Sequence, residues 1–397
     1  MVKVAYPAVT VSGNPLALTY WTSGGGYAGF DGLGRVIAQK WQIQSGGAVK
    51  DHFTYGYDAN SNRLYRTNEV DHAFDELYHA NGASGGYDGL DRLKDFRRGA
   101  LSDTDSDGVL DTVADNSTSR RQEWTLDPVG NPLGGPKGWS GFKSSGATTQ
   151  PWDLDQARLH NKANEIEDTV NQTPNAISGT PDWVDPAYDL AGNMTAGPQP
   201  RYETVDANTQ LYVYDAWNRL TKIYRDANCN DTIDDPGELV ATYSYDGQNR
   251  RIRKVLAVPN PDITYDYYYN ESWQVLEIRK GGDTDPLEQY VWGVQYVDAP
   301  VVRFYDGDQD GEIDPQDEDD NTLYYTYDGN FNVTALVKPD GTVAERYTYD
   351  PYGQVTFKAA DWSNAASQAK SAYDNEILYC GYRFDPESGN YQGRGPV

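Results

Sequence analysis

One short motif recurs from end to end of this chain. An aromatic residue is followed by aspartate, then by turn formers that include glycine or asparagine, then by a return to extended sequence. The clearest copy is Tyr214-Asp215-Ala216-Trp217-Asn218-Arg219-Leu220. Others begin at Phe30, Tyr57, Tyr87, Leu126, Tyr188, Tyr245, Tyr327, Tyr349 and Phe384. Self-similarity of this kind marks a repeat architecture. The aspartate can fold its carboxylate back onto backbone N–H groups two residues on, and the glycine or asparagine that follows can take the left-handed conformation of a tight turn. Alternating residues such as Leu211-Tyr212-Val213-Tyr214 lead in, and Leu220-Thr221-Lys222-Ile223-Tyr224 leads out. Each copy therefore reads as a β-hairpin whose register the turn chemistry sets.

A lone hairpin cannot bury its own face, so repeated hairpins must stack on one another into a continuous structure. Composition agrees. The 397 residues include 32 Tyr, 10 Trp and 39 Gly, which suits aromatic-faced, curved sheets better than an aliphatic core. A formal net charge of −27 argues against nucleic acid and anionic membranes as partners. It fits an exported or surface protein, or one that holds cations. Two cysteines, Cys229 and Cys380, make no disulfide framework. Residues 1–21 have no unbroken apolar run, so neither a signal peptide nor a membrane span is expected there.

Along the chain, residues 1–100 read as hairpins. Gly24-Gly25-Gly26-Tyr27-Ala28-Gly29 matches a dinucleotide fingerprint in form, but no helical pattern follows it and it reads as a loop. Residues 130–146 read as a long connection. Asp153 to Val170 reads equally as strand or as short helix. Residues 201–258 return to hairpins, 260–391 are the densest β sequence, and Asn364 to Ser371 reads as a helical or irregular loop.

The strongest local signal for chemistry is an acidic stretch, residues 306–317. Asp306, Asp308, Asp310, Asp314 and Asp317 stand at positions 1, 3, 5, 9 and 12 of an EF-type calcium loop. Gly311 sits at the turn, and Glu312 offers its backbone carbonyl. Such spacing wraps oxygens round one ion, and Asp closes the loop in place of the longer Glu. Two fainter copies exist. Asp103, Asp105, Asp107, Val109 and Asp111 form the first, with Ala114 at the closing position and Asp115 just beyond. Asp226, Asn228, Asn230, Thr232 and Asp234 form the second, with Gly237 at the closing position and Glu238 next. All three fall between candidate strands, where a cation would relieve self-repulsion. His52, His72, His79 and His160 have no metal spacing. No nucleophile elbow or phosphate loop occurs.

The tyrosine–aspartate turns resemble the YD repeats of Rhs proteins, which also form the shell of teneurins and of insecticidal toxin-complex components. The carboxy-terminal third resembles the Rhs repeat-associated core. Its matching strings are residues 267–277, 289–293, 330–337, 349–353 and Tyr382-Arg383-Phe384-Asp385-Pro386-Glu387-Ser388-Gly389. The resemblance implies an all-β fold: a spiral of stacked hairpins forming a hollow or partly open shell, with loop insertions. It divides the chain into a YD-repeat spiral, 1–259, and a core-like segment, 260–397, continuous with it. In the family the core runs on into a self-cleavage site and a toxin. Here the sequence stops short of both, so no catalytic residue is carried over.

The function expected is a non-enzymatic scaffold that encloses or displays another polypeptide segment of the same or a neighbouring gene, stabilised by calcium. The family places such a chain outside the cell or on its surface, as part of a larger exported protein. The competing reading is an extracellular adhesin or carbohydrate-binding protein that meets surface glycans through outward aromatic residues. Neither reading inserts the chain into a membrane.

Overall fold

The computed structural model describes residues 3–11, 13–20, 29–44, 47–79, 86–113, 118–132, 142–145, 153–167, 176–180, 183–233, 237–257, 261–314, 317 and 319–393. Among them there is no α-helix, only three single 3₁₀ turns at His72–Phe74, Asp206–Asn208 and Tyr379–Gly381. The remainder is strand and turn, as the all-β expectation requires. No described helix is long and apolar enough to cross a membrane.

The strands build antiparallel sheets whose spatial order follows the chain. One sheet has eleven strands, from Lys3–Val11 to Ile177–Thr180. It skips only Leu101–Ser102 and Thr112–Val113, which pair as a separate ribbon. A second sheet has fourteen strands, from Ala187–Tyr188 to Val355–Ala359. Arg383–Asp385 and Asn390–Gln392 form a final short pair. By contacts the chain divides into two compact units. The first comprises Met1–Val4, Ala17–Gln42 and Ala48–Ala187, the second Ala5–Leu16, Ile43–Gly47 and Tyr188–Val397. In the first, Tyr78, Phe96 and Trp124 form an aromatic core cluster. In the second, Tyr212, Ile223, Ala241 and Tyr243 form a mixed aromatic and aliphatic cluster. The strand Val333–Val337 is buried on both faces, because the chain's last residues return over it.

The repeat turns share one construction. In each, the aspartate N–H donates to the carbonyl four residues on, as Asp215 does to Arg219 at 3.0 Å. One carboxylate oxygen accepts the N–H groups of the second and fourth following residues: Trp217 and Arg219 reach Asp215 Oδ1 at 2.9 and 3.1 Å. The third following residue takes positive φ, at 59° for Asn218, 61° for Phe331 and 79° for Gly34. Strand register shifts at the aromatic residue just before the aspartate, as between Val213 and Tyr214 and between Ser244 and Tyr245. The extra residue there bends the ribbon.

The residue four places after the aspartate was not singled out in the sequence, and it ties one corner to the next. Arg35 Nε holds Asp31 Oδ2 at 2.5 Å, while its Nη1 donates to the Asp58 carbonyl at 2.8 Å. Arg92 does the same toward the Asp127 carbonyl at 2.8 Å, and Arg219 toward Asp246 at 3.2 Å. The leading tyrosine completes the stitch. Tyr57, Tyr245 and Tyr269 donate from Oη to the carbonyls of Val36, Leu220 and Arg251 at 2.9, 2.7 and 2.8 Å. The arginine of the preceding corner lies over the tyrosine ring: Arg35 is 4.7 Å from the Tyr57 centroid.

Several expectations change. Of Asp153–Val170, open between strand and helix, the described residues 153–167 hold the strand Leu154–Arg158 and a corner at Asn161 that opens on His160 instead of Tyr; residues 168–170 lie outside the described residues. Asn270 makes another such corner between the strands Ile263–Tyr269 and Val275–Lys280. The stretch 130–146 contains the strand Phe142–Ser145, paired with Arg120–Trp124; residues 133–141 lie outside the described residues, as do residues 24–28 of the glycine loop. The Phe384 copy is not a repeat corner, because the Asp385 carboxylate leaves its own turn for Arg251. Residues 364–371 are irregular, and they cover the last sheet edge. There the Gln368 side chain accepts from Phe357 N–H at 3.1 Å and donates to the Phe357 carbonyl at 2.8 Å.

Candidate metal loops and a buried charge clamp

Each acidic loop leaves one strand and enters the next. The stretch from Asp306 runs from Pro300–Tyr305 to the paired strand Asn321–Tyr327. Asp306 is buried and folds the loop: its carboxylate accepts Gln309 N–H at 2.6 Å and Gly311 N–H at 2.9 Å. Gly311, at φ 88°, allows the reversal. Carboxylate oxygens of Asp306, Asp308 and Asp310 come within 4.8 Å of one another. Slight desolvation, with the charges of Asp310 and Asp317 nearby, pushes Asp308 above the usual carboxylate range. The first three positions thus converge. Glu312, Asp314 and Asp317 are exposed, and neither Asp314 nor Asp317 belongs to that convergent group. Asp320, which the spacing did not flag, ties the loop shut by accepting Gly307 N–H at 3.0 Å and Asp314 N–H at 2.8 Å.

The loop at Asp103 repeats the geometry. Asp103 accepts Ser106 and Gly108 N–H at 2.7 and 2.9 Å. Asp103, Asp105 and Asp111 converge within 4.8 Å, while Asp107 turns to Val109 N–H at 2.7 Å and stays outside that group. Hydrogen bonds from the Thr104 side chain hold the Asp111 carboxyl below its ordinary range. In the loop at Asp226, buried Asp226 accepts Asn230 and Asp231 N–H at 3.0 and 2.9 Å, and Asn230 accepts Thr232 N–H at 2.8 Å. Asn228 sits on the same loop, and Asp234 lies outside the described residues. Glu238 folds back to the start of this loop, where Oε1 accepts Ala227 N–H at 2.8 Å. The residue is 6% exposed, and its Oε2 is buried with no hydrogen-bond partner.

A second polar site was invisible in the sequence. After Val355–Ala359 the chain returns across the second sheet and is held there by charge. Arg251 makes two parallel bonds to Asp385, at 2.6 and 2.7 Å. Lys254 Nζ donates to Glu376 at 2.9 Å and lies 3.4 Å from Glu387; Arg383 binds the other Glu376 oxygen at 2.7 Å. Arg303 donates to the carbonyls of Tyr373 and Asp374. Glu345 on the sheet receives Ala372 N–H at 2.8 Å and the Ser371 hydroxyl. Arg251, Lys254 and Arg303 are 3%, 2% and 0% exposed. Burial pushes Glu376 up, but Lys254 and Arg383 outweigh it and hold the carboxyl down at about 2. Burial, with the Asp385 charge beside it, pushes Glu387 up. A buried cation without a partner is severely destabilising, so sheet and returning segment need each other.

No family model matches the chain. Among curated proteins it is 27% identical over 205 residues to the tRNA nuclease WapA of Bacillus subtilis strain 168, and to the same extent to the tRNA3(Ser)-specific nuclease WapA of Bacillus spizizenii. The match takes in 52% of this chain and 7% of each relative, so the chain spans a small fraction of their length. Among solved structures, the TcdB2-TccC3-TEV structure superposes with a TM-score of 0.61 at 16% identity, covering 98% of this chain and 16% of that one. A TcdB2-TccC3 crystal structure gives 0.56 at 15% identity, covering 95% and 17%. A Tc holotoxin pore of Photorhabdus luminescens gives 0.59 at 16% identity, covering 97% and 17%. At that identity the likeness speaks for fold. The chain has the all-β, hairpin-on-hairpin fold of the TcdB2-TccC3 structures.

Proposed function

We propose that this chain is a non-enzymatic wall: a YD-repeat scaffold of the Rhs type that encloses or displays another polypeptide segment, with calcium stiffening its acidic loops. The observation that carries the reading is the superposition of at least 95% of the chain on TcdB2-TccC3 structures. The corner-to-corner stitching supports it, because the arginine corners at Asp31, Asp88, Asp215 and Asp246 each bind the next one. In this reading the nuclease named for the WapA relatives belongs to those whole proteins, and this chain contributes wall, not chemistry. A cargo held inside would be shielded from water and proteases. The parent protein would be exported.

The test is protease protection of a reporter polypeptide fused after Val397 in the full chain. Enclosure predicts that the reporter's half-life under protease is at least about tenfold longer than that of the free reporter. Equal half-lives would contradict it. A glycan array serves the adhesin reading, which rests on outward side chains such as Trp217 at 69% exposed; calcium-dependent glycan binding would favour it over the wall.

Calcium is argued from the donors. Asp306, Asp308 and Asp310 supply three converging carboxylates, and Asp103, Asp105 and Asp111 another three. In the loop at Asp226, where the spacing puts Gly237 at the closing position, the unpaired Oε2 of the next residue, Glu238, supplies the closing oxygen. Adding calcium should raise the melting temperature. Each filled site adds about 2.7 kcal/mol at a hundredfold excess over Kd. Asp306→Ala with Asp310→Ala should remove the largest part of that response, as measured by calorimetry with and without chelator.

A further inference from the structure

We propose that the covered face of the second sheet is a peptide-binding site, that residues 371–392 are its ligand in cis, and that an acidic peptide of the same chemistry can occupy it in trans. The claim stands whether or not the wall encloses a cargo.

Three observations carry it. First, most of the buried charge pairs across the two sides. The sheet contributes the cations Arg251 and Lys254 and the segment contributes Glu376, Asp385 and Glu387, while Arg303 of the sheet reaches the segment's carbonyls, Glu345 of the sheet accepts its Ala372 N–H, and Arg383 pairs with Glu376 within the segment. Second, recognition runs side chain by side chain along the segment. Tyr243 donates to Glu387 at 2.9 Å, Tyr325 donates to Asn375 at 2.9 Å, and Gln210 donates to the Ser388 carbonyl at 3.2 Å. Val333 N–H donates to the Leu378 carbonyl at 3.1 Å, which docks the segment's backbone as well. Ile377, Leu378 and Phe384 are the apolar anchors, 2%, 0% and 4% exposed. Anchors in pockets with desolvated charge pairs around them are how peptide interfaces are built. Third, the connection that delivers the segment is separate from the site. Asp361, Ser363, Asn364, Ala366, Ser367, Ala369 and Lys370 are exposed and lie in no strand. Where the connection does touch the sheet, Ala365 and Gln368 bond Phe357 at the edge strand and not the charged groups of the covered face.

The experiment uses the full chain with a protease recognition sequence inserted between Ala366 and Ser367, cut after folding. The downstream fragment should co-elute with the rest at micromolar concentration. A fluorescein-labelled synthetic peptide of residues 371–393, added in excess under mild urea and then returned to buffer, should replace it. The same peptide carrying Glu376→Gln and Asp385→Asn should bind about 30-fold more weakly or worse, the loss expected when a buried charge pair is broken. Because these changes lie in the peptide, folding of the sheet is not at issue. Three results would overturn the proposal: the cut fragment dissociates at micromolar concentration, the labelled peptide never enters while the sheet stays folded, or the neutralised peptide binds as well as the parent.

Discussion

Asp215 and Asn270 occupy equivalent places in two corners, and the residue four positions later decides which is tolerated. Aspartate stands opposite a donor: Arg219 bonds Asp215 Oδ2 at 2.7 Å, and Asn193 bonds Asp189 Oδ2 at 2.8 Å. Asparagine stands opposite an acceptor: Asn270 Nδ2 donates to Gln274 Oε1 at 2.7 Å, and Asn161 Nδ2 donates to Glu165. The donor also favours the charged carboxylate: the hydrogen bond from the Arg92 side chain holds Asp88 down at about 2. The pairing predicts a coupling. Asp215→Asn should cost about 1 kcal/mol by losing a favourable hydrogen bond while keeping the turn. Arg219→Glu, which also gives up the stitch to the Asp246 carbonyl, should cost more than Asp215→Asn, and the double variant should lose less than the sum of the two single losses. Denaturant unfolding of the four proteins measures the coupling; additive losses would contradict it. Corner chemistry was legible in the sequence because it is local, all within five residues. Its partner position was missed because Arg, Asn, Gln and Glu share no composition signal there. The clamp was illegible for the opposite reason. Arg251 and Asp385 lie 134 residues apart, and a strand arginine that faces a covered surface looks like one that faces water.

At the level of elements, the alternation of aromatic and polar residues located most strands, and it failed where a segment pairs without alternating. Leu154 and Gln156 both face inward in the strand where a helix was weighed, so a buried glutamine masked the period. The last strand, Val355–Ala359, ends the second sheet and would present an open edge. Open edges recruit other strands. Gln368 shares that role with backbone of residues 363–365: its side-chain amide matches both the donor and the acceptor of Phe357, and Ala365 N–H donates to the same carbonyl at 3.0 Å. Gln368→Ala should therefore leave the fold in place, at a cost of about 1 kcal/mol per lost bond, and produce concentration-dependent association. Light scattering over a concentration series checks this, and an unchanged, monodisperse protein would contradict it.

At the scale of the whole molecule, the repeat supplied the class of fold, and sheet order follows chain order as stacked hairpins require. The sequence did not show that the ordered strands divide between two large sheets, because each corner specifies only its neighbour. What the corners propose collectively is a ribbon bent round an interior. That proposal has a direct measurement in small-angle X-ray scattering of the calcium-loaded chain. A filled globule of 397 residues has a radius of gyration of about 21 Å. A wall around solvent predicts a clearly larger radius and a pair-distance distribution weighted to long separations. A radius near about 21 Å with a symmetric distribution would mean that the ribbon collapses onto itself, and the scaffold reading would fall with it.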